Sequence, residues 1–150
     1  MATVTSVAHA FMVALADKLA LRANLAGVQI ATGWLGGDSD ARESIQLTAV
    51  RAEQRWGMVG NRRRDEEFTV EGTIWVTRAG KNEPVIREAR ERAFALLAEI
   101  EDCLRVDPTV DNTAKQAQVS AYDLDQGATT DGRWCQVEIE ILVNKDLRSS

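Results

Sequence analysis

Glu67-Phe68-Thr69-Val70-Glu71-Gly72-Thr73-Ile74-Trp75-Val76 is the stretch on which the fold turns. Phe68, Val70, Gly72, Ile74 and Val76 alternate with Thr69, Glu71, Thr73, Trp75 and Thr77. A period of two places successive side chains on opposite faces, so the segment reads as a half-buried strand. Upstream, Glu43–Trp56 alternates in the same way, with Ile45, Leu47 and Ala49 against Gln46, Thr48 and Val50, and is expected to pair with it. Between the two, Gly57–Asp65 holds two glycines, an asparagine and three consecutive arginines, the composition of an exposed, mobile loop.

The flanks of this pair are helical. Val4, Ala8, Phe11, Leu15 and Leu19 recur at steps of three and four, which predicts an amphipathic helix over 4–24 that stops at Gly27. Val28-Gln29-Ile30 then reads as extended and Gly33–Asp38 as a glycine-rich loop. Ile86, Ala89, Ala93, Leu97, Ile100 and Leu104 predict a second helix, capped by Asn82 with Pro84 in its first turn. Glu83–Arg87 and Glu88–Arg92 stand at the i,i+4 spacing of helical ion pairs. The chain closes in a long hairpin, Gln116–Gln126 and Trp134–Asn144, turning through Gly127–Gly132. Strands joined by hairpins rather than helical crossovers predict one α+β domain over 1–150: a mostly antiparallel or mixed sheet with two main helices on one face.

Composition narrows the function classes. The chain has 150 residues, 45% of them hydrophobic, and a formal charge of −5, so the whole molecule repels phosphate backbones. Two cysteines, Cys103 and Cys135, are too few for a disulfide framework. The apolar run Val7–Ala16 is too short to span a membrane, and no Lys or Arg precedes it as in a secretory signal, which favours a cytoplasmic helix.

The expected chemistry is sparse. His9 is the only histidine and has Ala8 and Ala10 as neighbours, which gives no base for a nucleophile. Asp38, Asp40 and Glu43 lack the ligand spacing of a calcium loop, and Gly33–Gly37 lacks the Lys and Ser/Thr of a phosphate-binding loop. No catalytic, cofactor or metal site is therefore expected. Glu138 and Glu140 share a strand face where solvated or subunit-facing side chains are commoner than acid–base pairs. Arg62, Arg63 and Arg64 are followed at once by Asp65, Glu66 and Glu67, so a subunit contact or a solvated loop is favoured over nucleic acid. Trp75 and Trp134 stand opposite the apolar faces of their strands, which points to a sheet covered on both sides or to a docking surface, and the second is favoured because tryptophan is enriched at interfaces.

The ordered set of elements, with Glu67–Val76, the Arg90-Glu91-Arg92-Ala93 helix and the closing Cys135–Val143 strand, resembles the tail terminator (tail completion) proteins of long-tailed bacteriophages. The resemblance implies a virion structural subunit of the tail-neck region, assembled in the host cytoplasm, with no catalytic residues. It implies a homo-oligomeric ring, a hexamer, that caps the tail tube protein, stops polymerisation and offers a joining surface to the head-tail connector proteins. DNA would pass through its lumen without specific binding. On that reading, ring contacts fall on Glu71, Trp75, Trp134 and Glu138, and tube or connector contacts on Met58, Arg62, Arg63 and Arg64. Another neck protein, such as a head-closure subunit, is the alternative within the class. A small ligand-binding domain with its pocket at Gly33–Asp38 and Trp34 is the alternative outside it.

Overall fold

Two long strands at the centre of the sheet organise the chain. β3 (Arg63–Ala79) and β5 (Gly132–Arg148) pair antiparallel throughout, from Arg63 opposite Arg148 to Ala79 opposite Gly132. The computed structural model describes residues 6–35, 41–58 and 63–148, with side chains for 6–35, 41–52 and 66–145. β2 (Glu43–Met58) flanks β3 and β4 (Gln116–Ala128) flanks β5, both antiparallel. The short β1 (Gln29–Ala31) runs parallel to the start of β2, so the sheet is mixed, in the order β1-β2-β3-β5-β4. With α1 (Ala8–Ala20) and α2 (Glu83–Val106) packed on one face, the fold is the α+β architecture expected.

Alternation builds the core. Phe68, Val70, Ile74 and Val76 of β3 and Cys135, Val137, Ile139, Ile141 and Val143 of β5 are all buried beneath the helices. Phe11, Leu15 and Leu19 from α1, and Ala89, Ala93, Leu96 and Ile100 from α2, close over them. Each fully buried large side chain contributes on the order of 1.5–3 kcal/mol. Phe11 meets Phe68 edge to face, with ring centroids 5.7 Å apart.

The structure corrects the sequence reading in four places. Straight alternation puts Ala49 on the face of Ile45 and Leu47, but a register shift at Thr48 reverses the phase. Leu47 lies opposite Gly72, Ala49 opposite Glu71, and Val50 opposite Val70, so Val50 packs on the core. A bulge adds one residue to one strand, and everything beyond it changes sides. Second, Gly57, Met58 and Arg63–Asp65, expected in a loop, lie in β2 and β3, with Trp56 opposite Arg64 and Met58 opposite Arg63. β3 is bonded on both sides here, since Arg64 also faces Leu147, and the backbone ladder holds where the apolar pattern stops. Residues 59–62, Arg62 among them, lie outside the described residues.

Third, α1 ends at Ala20 rather than near Asn24, and a 3-10 turn, Ala23–Leu25, follows before Gly27 at φ 82°. Arg22 is extended there, and its guanidinium reaches Glu99 at 2.6 Å and Asp102 at 2.5 Å on α2. Fourth, Glu83 pairs with Arg87 as expected, at 3.1 Å, but Glu88 and Arg92 do not pair with each other. Arg92 instead grips both carboxylate oxygens of Glu43 at 2.9 and 3.1 Å, and Glu88 accepts from Arg78 at 3.2 Å. Arg78 also reaches Glu43 at 2.5 Å, which ties α2 to the start of β2 and the end of β3. The Asn82 cap forms as expected, accepting from the Val85 N–H at 3.3 Å.

Beyond α2 the chain makes a left-handed turn, with Val110, Asp111 and Asn112 at φ 44°, 56° and 64°. Such conformations cost about 1–3 kcal/mol each for non-glycine residues. Two features offset that cost: Val110 is fully buried, and Asp107 accepts from the Thr109 and Asp111 N–H groups and from the Thr109 hydroxyl. The Asp111 N–H, the Thr109 hydroxyl and Lys18 hold the Asp107 carboxyl well below the usual carboxylate range.

Candidate functional site

The face of the sheet away from the helices carries the residues singled out as ring contacts. Register fixes it: Thr69, Glu71, Thr73, Trp75 and Thr77 of β3 stand opposite Leu142, Glu140, Glu138, Gln136 and Trp134 of β5. Glu71 and Glu138 are therefore on one face with Trp75 and Trp134, as the sequence reading required. They divide into an acidic region at mid-sheet and an aromatic one near the β4–β5 turn.

The acidic region is a shallow trough of about 250 Å³ that crosses all four long strands, lined by Thr48, Glu71, Thr73, Asp123, Glu138 and Glu140 among others. Both outer strands bulge at this level, β2 at Thr48 and β4 at Ser120, which adds local twist on either side of the Gly72–Ile139 pair. Arg51 is the cation placed among these carboxylates, 3.4 Å from both Glu71 and Glu140, and its side chain remains 68% exposed. Pairs so exposed contribute about 0–1 kcal/mol, so the guanidinium is held loosely.

In the aromatic region Trp75 and Trp134 stack on each other, centroids 5.3 Å apart and planes 21° from parallel. Their half-buried state thus has an intramolecular cause. Gly127, paired with Trp134 across the β4–β5 hairpin, makes the stack possible, because a Cβ there would stand 2.3 Å from the indole Cζ2. Gly127→Ala is expected to displace the Trp134 ring and alter the near-ultraviolet circular dichroism that coupled indoles produce. In a Trp134→Ala background the same change should be silent. An unaltered spectrum in the single variant would refute the packing role of Gly127.

Part of this face is already covered. Beyond β1, which runs parallel to β2, Leu35 N–H donates to Gln46 Oε1 at 2.9 Å. Gln46 in turn donates to Ser44 Oγ at 3.2 Å, and both are buried although they lie on the helix-free side. Trp34, the centre of the alternative ligand pocket, is 70% exposed, and 36–40 lie outside the described residues. His9 is exposed, and Cys103 and Cys135 are buried free thiols whose acidity burial weakens. Among the described residues no helix is long and apolar enough to cross a membrane, and no three His, Cys, Asp or Glu side chains group to hold a metal.

Met58, Arg63 and Arg64 take strand positions at the far tip of β2 and β3, well away from Trp75 and Trp134. The sequence reading missed Arg51, Asp123 and Gly127 as members of the open face. Only the register, with the bulges at Thr48 and Ser120, brings them beside Glu71, Glu138 and Trp134.

No protein-family model and no curated protein matches the sequence. Among solved structures the fold matches a chain described as belonging to the virion of a native gene transfer agent particle. The TM-score is 0.54 at 12% identity, over 95% of this chain and 100% of that one. The two chains share a fold.

Proposed function

We propose that the protein is a structural subunit of a phage-like virion and serves as a tail terminator. In this reading it closes as a ring, a hexamer, on the end of the tail tube, stops tube growth and presents a joining surface to the head connector. The observation that supports this best is the shared fold over nearly the whole length of both chains with a virion component. A sheet face that is open at its centre and acidic supports a ring through which DNA passes unheld, since bound phosphates need a basic footprint. Six copies at −5 each carry about −30. Its partners are then further copies of itself, the tube protein and the connector, and the role involves no catalytic step.

Light scattering on a size-exclusion column, across concentration and ionic strength and with purified tail tubes added, tests the reading. A closed ring at a fixed multiple of the subunit mass, free or seated on tube ends, is the expected result. A protein that stays monomeric at every concentration and fails to bind tube ends would overturn it.

A further inference from the structure

We infer that the subunits join edge to edge, the outer edge of β4 in one copy pairing with the free edge of β2 in the next. The inference rests on the ring reading above and says how the ring would close.

Among the described residues, the strand order leaves two long edges without a partner strand. β1 covers only Ser44–Gln46 of β2, so no described strand pairs with Leu47–Met58 on that side, and none pairs with the outer side of β4 along its 13 residues. Unpaired N–H and C=O groups along such an edge template another strand, and monomeric proteins usually blunt them with Lys, Pro, bulges or very short strands; β4 has a single bulge, at Ser120, in its 13 residues. Gln116–Ala128 contains no Lys, Arg or Pro.

Charge selects the partner. The acidic residues of β4 are Asp123 and Asp125, whereas the free part of β2 carries Arg51. Asp123, opposite Glu138, and Arg51, opposite Thr69, both belong to the helix-free face. An edge of β4 would meet its own copy acid to acid, but meets β2 acid to base. Direction agrees as well. β2 and β5 run one way, β3 and β4 the other, and a rotation about an axis along the strands preserves the direction of β2. Placing β4 against the next β2 therefore continues the antiparallel alternation. A register with Asp123 opposite Arg51 sets Leu124 beside Val50 on the helix side, where both already pack on the core. It also runs β4 along the part of β2 that β1 leaves uncovered. The contact is heterologous, one edge to a different edge, which is the kind that closes into rings.

Charge exchange tests this on the full chain, with folding checked by circular dichroism melts. Asp123→Arg sets base against Arg51, and Arg51→Asp sets acid against Asp123. Each change alone should weaken assembly at least about tenfold, because like charges face each other across the contact. A chain carrying both changes should assemble again. If both folded variants form rings like the parent, or the double exchange restores nothing, the edge contact is wrong while the ring reading stands. A parent protein that forms no ring, even on tube ends, removes both.

Discussion

Phe68→Ala is expected to lower the melting temperature by roughly 6–20 °C. Phe68 is 1% exposed in the middle of β3, between Ala52 and Val143 on neighbouring strands. Removing the ring forfeits its transfer free energy and leaves a cavity beneath α1, together about 3–5 kcal/mol, and a chain of this size loses about 2–4 °C per kcal/mol. Phe11 also loses its edge-to-face partner. Because both rings belong to the contact between α1 and the sheet, Phe11→Ala in the same chain should cost less than its effect alone. A melt within about 2 °C of the parent would show that α1 does not depend on this contact.

The second large effect is expected from Glu43→Ala. Its carboxylate is gripped by Arg92 and Arg78, and the three side chains are 14%, 27% and 19% exposed. Taking it away leaves two half-buried guanidinium groups facing each other. Breaking a fully buried pair costs 3–5 kcal/mol, and partial exposure here reduces that to about 1.5–3 kcal/mol. Burial opposes the ionisation of Glu43, but the bonds from Arg92 and Arg78 outweigh it and hold the carboxyl below its ordinary value. A carboxylate whose folded pKa is depressed adds stability that is present above its unfolded pKa, about 4.3, and is lost as pH falls through the folded value. Glu99 and Asp102, held low chiefly by Arg22, act in the same direction. The parent should therefore melt at progressively lower temperature below about pH 4. The Glu43→Ala chain should start lower at neutral pH and lose less on acidification. Parallel curves would show that Glu43 contributes nothing to the acid limb.

The open face was only partly legible. Glu71, Trp75, Trp134 and Glu138 could be assigned to it because each stands opposite a run of apolar neighbours, and local alternation suffices for that. The stacking of the two indoles could not, since it depends on which residue of β5 faces which residue of β3. Arg92 illustrates the same limit on a helix. Its sequence neighbour Glu88 is at the right spacing, yet a carboxylate 49 positions away takes the guanidinium.

From the sequence alone came the element order, the helix faces, the Asn82 cap and the α+β class, because these follow from short-range periodicity and from backbone groups that neighbouring residues satisfy. Tertiary structure alone decided the phase of β2 beyond Thr48, the extension of β2 and β3 to Met58 and Arg63, the early end of α1 and the grouping of Arg51 with Glu71 and Glu140. Each of these is set by pairing between residues far apart in the chain, where one inserted residue or one distant charge outweighs the local pattern.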